Sequence, residues 1–284
     1  MKIGIHSGVL SDYRLNEIIP RLADLGYQGL ELNAETGPWG EPHVTPDLGI
    51  RERAAIRRLS QEHRLEISSI SAHISLIDAD DAARQKHVEF VKGCIDLATD
   101  VETNIVHAIS GLAPAGVPRE RAWTWLVESV SACTDYAGER GVVFGIEADE
   151  IMLLASMADL GRLTTDLEPA NLHVNFDASH SIPMDENPAE WVKTLNSRIV
   201  HVHLKDVKPR EPSKKQASLF GIPVDFDYPP LGLGIIDWKE LFGAFRQINY
   251  SGFLSVEYAA HHFGYREDPW EVAAAAKRFV DNLL

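Results

Sequence analysis

Along the whole chain, runs of aliphatic and β-branched residues alternate with segments whose apolar positions recur every three to four residues. The first kind predicts strands near 2–6 (KIGIH), 28–32 (QGLEL), 67–73 (ISSISAH), 104–109 (NIVHAI), 142–147 (VVFGIE), 171–177 (NLHVNFD), 199–205 (IVHVHLK) and 253–257 (FLSVE). The second predicts helices over 14–25, 49–64, 81–98, 118–139, 154–166, 188–196, 238–247 and 270–283. Eight β–α alternations point to an α/β fold with a parallel sheet. A closed (β/α)8 TIM barrel and an open doubly wound sheet both satisfy that pattern. The polar strand ends favour the barrel: they are spread over most of the strands, whereas an open sheet gathers its site at one switch point. No linker, tandem repeat or low-complexity stretch divides the chain, so a single domain over 1–284 is expected.

The alternation also sorts faces. In the sixth strand Leu172, Val174 and Phe176 oppose His173, Asn175 and Asp177; in the seventh Val200, Val202 and Leu204 oppose His201, His203 and Lys205. Apolar side chains can meet the helices while polar ones point inward, an arrangement that is costly unless it serves a site or satisfies itself. The last four strands arrive at Glu147, Asp177, His203 and Glu257. A single carboxylate at a strand end is more often a cap or a surface ion pair. Three carboxylates and an imidazole on four successive strands can instead form an octahedral site for one divalent cation. Mn²⁺ is the first expectation, with Mg²⁺, Co²⁺ or Zn²⁺ as alternatives.

Composition narrows the classes further. With 45% hydrophobic and 24% charged residues, the chain is ordinary globular material, and 284 residues suit one barrel. A formal charge of −15 disfavours nucleic acid as a partner. No apolar run is long enough to cross a membrane and the start lacks a leader-like segment, so a cytoplasmic location is expected. Cys94 and Cys133 stand alone in helical segments and read as structural thiols. Homo-oligomerisation is compatible with the sequence, which does not indicate a pairing surface.

Two strand–helix connections are long, near 33–48 and 207–236. Connections of that length are often functional. In a barrel they lie on the face that carries the strand C-termini, where Trp39, Phe220, Phe226 and Tyr228 could cover a ligand; the alternative is proline-stapled surface loops. Gly26 and Gly141 are placed to cap helix C-termini.

The phrases GIE at 145–147, DASH at 177–180, HVHLKD at 201–206, PLGLGIIDW at 230–238 and FLSVE at 253–257 resemble the xylose isomerase-like TIM-barrel superfamily. That superfamily includes sugar phosphate isomerases and epimerases, inosose dehydratases and endonuclease IV-type enzymes. The resemblance spans essentially the whole chain and says much less about substrate than about fold. It implies that Glu147, Asp177, His203 and Glu257 are metal ligands and that His180 reaches the substrate. By likeness to ketose 3-epimerases, it implies that Glu147 and Glu257 exchange protons on opposite faces of a substrate carbon through an enediolate. His73 and His107, ending the third and fourth strands, are expected as substrate-hydroxyl contacts, with core histidines as the alternative. Glu31 and His6 are secondary pocket candidates. Lys205 has three readings: an electrostatic clamp on substrate, a partner of Asp206 or of a ligand carboxylate, or a Schiff-base amine. No D-x-H phrase follows the seventh strand, so the trinuclear set of the nuclease branch is incomplete.

The expected activity is isomerisation or epimerisation of a ketose, keto-inositol or oxidised sugar by proton abstraction beside a carbonyl. The alternative is a lyase of the inosose dehydratase or 3-keto-glycoside deglycosidase kind, using the same first step. A non-catalytic sugar-binding barrel is a further class, disfavoured because no ligand is missing. The expected partner is therefore a small sugar or polyol. The short GLG at 232–234 is too brief for a phosphate cradle.

Overall fold

The period-two runs become eight strands: β1 (Lys2–His6), β2 (Gly29–Asn33), β3 (Glu66–Ser75), β4 (Ile105–Ile109), β5 (Val143–Glu147), β6 (His173–Asp177), β7 (Ile199–Leu204) and β8 (Phe253–Val256). In the computed structural model they pair in parallel and close into a barrel, with β1 bonded to both β2 and β8. Among the described residues, eight α-helices alternate with them: α1 (Leu15–Asp24), α2 (Ile50–His63), α3 (Asp81–Asp100), α4 (Arg119–Glu139), α5 (Met157–Asp166), α6 (Pro188–Leu195), α7 (Trp238–Gln247) and α8 (Pro269–Asp281). The structure describes residues 1–35, 41–167, 172–211, 217–219, 221–258 and 267–284. Trp39 and Phe220, expected to cover a ligand, lie outside the described residues.

Local chemistry explains the boundaries. Asp80, Ser156, Asn187, Asp237 and Asp268 each turn a side-chain oxygen onto the free N–H groups that open a helix. Pro188 and Pro269 occupy first-turn positions where no N–H is needed. Gly26 and Gly141 adopt φ of +83° and +67° just past α1 and α4, as helix-ending glycines do.

The two faces of the strands separate as the alternation requires. Val174, Phe176, Val202, Leu204, Leu254 and Val256 are closed off from solvent in the apolar layer. The opposite faces line the barrel interior with Ser69, Ser71, His107, Asn175, His201, His203 and Ser255, all buried. Cys94 and Cys133 are buried free thiols, and burial pushes the pKa of both up.

The β7–α7 connection carries two short antiparallel pairs, Ala217–Leu219 with Ile222–Val224 and Lys208–Pro209 with Phe226–Asp227, which the periodicity does not reveal. The loop is anchored by Asp206. Its Oδ2 accepts from Gly232 N at 2.8 Å, Gly234 N at 3.0 Å and Trp238 Nε1 at 3.1 Å. The glycine phrase thus cradles an internal carboxylate. A Cβ on Gly234 would fall 2.0 Å from Asp206 Oδ1, so this close approach needs glycine.

Candidate metal centre

Glu147 ends β5, Asp177 ends β6 and His203 lies near the end of β7. Glu257 follows β8 by one residue, and its N–H donates to Leu204 O at 3.1 Å, extending the ladder. The barrel brings all four to one mouth, with one ligand atom from each within 4.8 Å of the others. His203 Nδ1 lies 3.3 Å from Glu147 Oε1 and 3.2 Å from Glu257 Oε2. Asp177 Oδ1 accepts from Ser179 N at 2.8 Å. Its Oδ2 is buried and accepts no hydrogen bond of adequate geometry, although Lys205 Nζ is 2.9 Å away. Three convergent carboxylates, one imidazole nitrogen and an unused carboxylate oxygen fit a hard or borderline divalent cation.

Lys205 faces this cluster. Its Nζ is 2.9 Å from Asp177 Oδ2, 2.9 Å from Glu257 Oε2 and 2.9 Å from His180 Nε2. Asp206 points away into the β7–α7 loop, so the lysine pairs with the cluster's carboxylates and not with its neighbour. Burial would lower the Lys205 pKa, but Asp177, Glu257 and Glu147 hold it well above the usual lysine value. The side chain is therefore an ammonium, which argues against a free-amine nucleophile in this state.

Histidines surround the carboxylates. His73 Nε2 is 3.4 Å from Glu147 Oε2, and Asn175 Nδ2 donates to the same oxygen at 2.7 Å. Burial would raise the Glu147 pKa; the His203 charge and hydrogen bonds from His180, His203 and His73 hold it well below the carboxylate range. Burial would likewise raise Glu257, which Lys205 and His203 keep well below it. His180, in the turn after β6, packs its ring against Tyr228 with centroids 6.2 Å apart. Glu150 of the β5–α5 loop takes hydrogen bonds from His180 Nδ1 and the Tyr228 hydroxyl. Burial and Lys205 would lower the His180 pKa, but Glu150, Asp149 and Asp177 outweigh them and hold it well above the ordinary value.

Beneath the mouth lies a second layer centred on Glu31 of β2, fully buried. Its Oε1 meets His107 Nε2 at 2.6 Å and His203 Nε2 at 3.0 Å; its Oε2 meets His201 Nε2 at 2.8 Å and accepts from Ser255 Oγ at 2.6 Å. His107, expected to touch substrate, is closed off from solvent within this layer, and only His73 borders the open side. The alternative of a core histidine describes His107. Glu31, ranked second from sequence, is the hub that joins His107, His201 and His203. Glu150 went unnoticed in the sequence; the acidic pair Asp149–Glu150, one residue past the end of β5, was the available signal.

A family model described as xylose isomerase-like TIM barrel matches residues 19–282. The chain belongs to this family. Among curated relatives, an inosose dehydratase of Lacticaseibacillus casei is 25% identical over 214 residues, covering 72% of this chain and 70% of that protein. Among solved structures, the IOLI protein with a bound zinc atom superposes with a TM-score of 0.79 at 17% identity, covering 100% of this chain and 98% of that one. An L-ribulose 3-epimerase superposes with a TM-score of 0.78 at 20% identity, covering 100% and 94%. At these identities the solved structures speak to the fold. The curated relatives are thus named as dehydratases, and among the described residues no helix is long and apolar enough to cross a membrane.

Proposed function

We propose that this xylose isomerase-like barrel is a divalent-metal-dependent isomerase or epimerase that removes a proton beside the carbonyl of a ketose, keto-inositol or oxidised sugar. The observation that carries this reading is the pair of carboxyl groups, Glu147 and Glu257, approaching His203 Nδ1 from two different strands. Glu147, Asp177, His203 and Glu257 would hold the ion, with Mn²⁺ as first choice. When bound, the ion supplies positive charge against the oxyanion that develops as the carbon-bound proton leaves. One glutamate, as the carboxylate, accepts that proton, and the other, first protonated from solvent, gives its proton to the opposite face, so the two exchange protonation states and no net proton is consumed. His180, oriented by Glu150, shares a proton with Lys205 Nζ at 2.9 Å, and the pair can pass one to a substrate oxygen. Lys205 adds fixed positive charge beside Asp177 and Glu257, and Tyr228 helps close the site on the loop side.

A lyase reading shares the first step and is favoured by the inosose dehydratase relatives. In that reading a proton of the Lys205–His180 pair would go to a departing hydroxyl or aglycone oxygen. Incubation of the Mn²⁺-loaded protein with ketohexoses, inososes and 3-keto-glycosides in deuterated water distinguishes the two. Uptake of deuterium without other mass change is expected for epimerisation, and loss of water or aglycone indicates the lyase. Glu147→Gln should cut exchange by at least about a thousandfold if its carboxylate takes or returns the proton. Exchange within about tenfold of wild type would remove it from that role.

A further inference from the structure

A cavity of about 510 Å³ opens beside the metal centre, between the β3–α3 and β4–α4 connections. Its inner end is formed by Glu35 and by His73, whose Nε2 is 3.4 Å from Glu147 Oε2. The space therefore continues directly from the reacting centre. Most of its wall is apolar, formed by Ile74, Ile77, Leu112 and Met152, with Ser75, Asp78 and His87 as the polar groups between them. Gly111, at φ of +91°, lets the end of β4 close onto β3; a Cβ there would fall 2.0 Å from Ser75 Oγ.

Sugar hydroxyls set against Ile74, Ile77, Leu112 and Met152 would lose water without gaining partners, whereas apolar surface would gain by leaving water. The volume lies in the range of roughly 300–1,000 Å³ typical of pockets for drug-sized ligands. Resting on the proposed chemistry at Glu147, we propose that this cavity seats an apolar aglycone, so that the substrate is a keto-glycoside with an aromatic-sized substituent. The sugar ring occupies the polar mouth, and the aglycone runs past His73 between Ile77 and Leu112. Met152 supplies a thioether suited to the edge of an aromatic ring.

The test is calorimetric titration of Mn²⁺-loaded protein with phenyl and methyl 3-keto-β-glucosides. The phenyl compound should bind at least about tenfold more tightly, as burial of an aromatic ring predicts. Ala113→Trp, at an exposed lining position, would fill the cavity from its rim. It should abolish that preference and leave the methyl compound's dissociation constant within about twofold of wild type. Leu112→Asn, a second variant on the half-buried wall, should reduce the preference in the same way. Equal affinity for the two glycosides, a preference untouched by both variants, or failure of either glycoside to bind would overturn the proposal. Deuterium exchange into the methyl compound reports separately on the chemistry. Its absence alongside an intact, variant-sensitive phenyl preference would refute the catalytic reading and leave the aglycone site standing.

Discussion

At the scale of single residues, the centre rests on a carboxylate buried beneath it. Glu31 accepts at His203 Nε2, which leaves Nδ1 directed at Glu147 and Glu257. A ligand histidine held through its other nitrogen has both its tautomer and its ring orientation fixed. Burial would raise the Glu31 pKa, but His203, His201 and His107 hold it well below the carboxylate range, so the hub carries a charge. Glu31→Gln keeps the shape but replaces one acceptor by a donor. It should weaken Mn²⁺ affinity about 10- to 100-fold in a chelator competition, with activity recovering in excess Mn²⁺. Unchanged affinity would mean that packing alone orients His203. The sequence revealed Glu31 poorly because a Glu in the run QGLEL has no spacing relation to the histidines it binds. Those partners lie 76, 170 and 172 positions away.

At the scale of elements, alternation predicted the strands and their faces, because the two-residue repeat follows from strand geometry itself. Strand ends at Glu147 and Asp177 agree with the structure to the residue, and Glu257 continues the ladder through its backbone. The β7–α7 connection was legible as a long loop and no further, since its short antiparallel pairs hold too few residues to show a period. Its anchor is a side chain: three donors converge on the Oδ2 of buried Asp206. Asp206→Ala would leave Gly232 N, Gly234 N and Trp238 Nε1 without their acceptor. A loss of about 3 kcal/mol or more is expected in urea unfolding, with faster amide exchange at Gly232 and Gly234. A loss within about 0.5 kcal/mol would show that water replaces the carboxylate.

At the scale of the whole molecule, the buried titratable groups impose a pH profile on the metal-free protein. Glu147, Glu257 and Glu31, held low in the fold, contribute fully above their ordinary 4.5 and lose that contribution as pH falls through their folded values. His6 and His107, lowered by burial to about 4 and about 3, act in the same direction below 6.5, because they resist charging in the fold. His203 and His180, held high, contribute fully below 6.5 and lose it as pH rises through their folded values. Glu35, raised by burial to about 8, and Asp149, raised to about 6, lose stability upward from their ordinary values, opposing His6 and His107 between 4.5 and 6.5. Thermal melts of chelator-treated protein should therefore show a plateau between about pH 4.5 and 6.5 and a fall on either side. Mn²⁺ at a hundredfold excess over its dissociation constant should add about 2.7 kcal/mol near neutrality. An alkaline limb as flat as the plateau in the metal-free protein would contradict the charged state assigned to His203 and His180.

The sequence by itself determined the alternation of strand and helix, the inward polar faces, the four residues that meet at the mouth and the acidic balance. Each follows from local periodicity or from a count, which the order of residues already contains. Only the tertiary structure decided that His107 is sealed beneath the site, that Glu31 joins three histidines, that Lys205 turns to Asp177 and Glu257, and that a largely apolar cavity adjoins His73. Those relations arise from barrel closure, which sets side chains from distant strands within hydrogen-bond reach of one another.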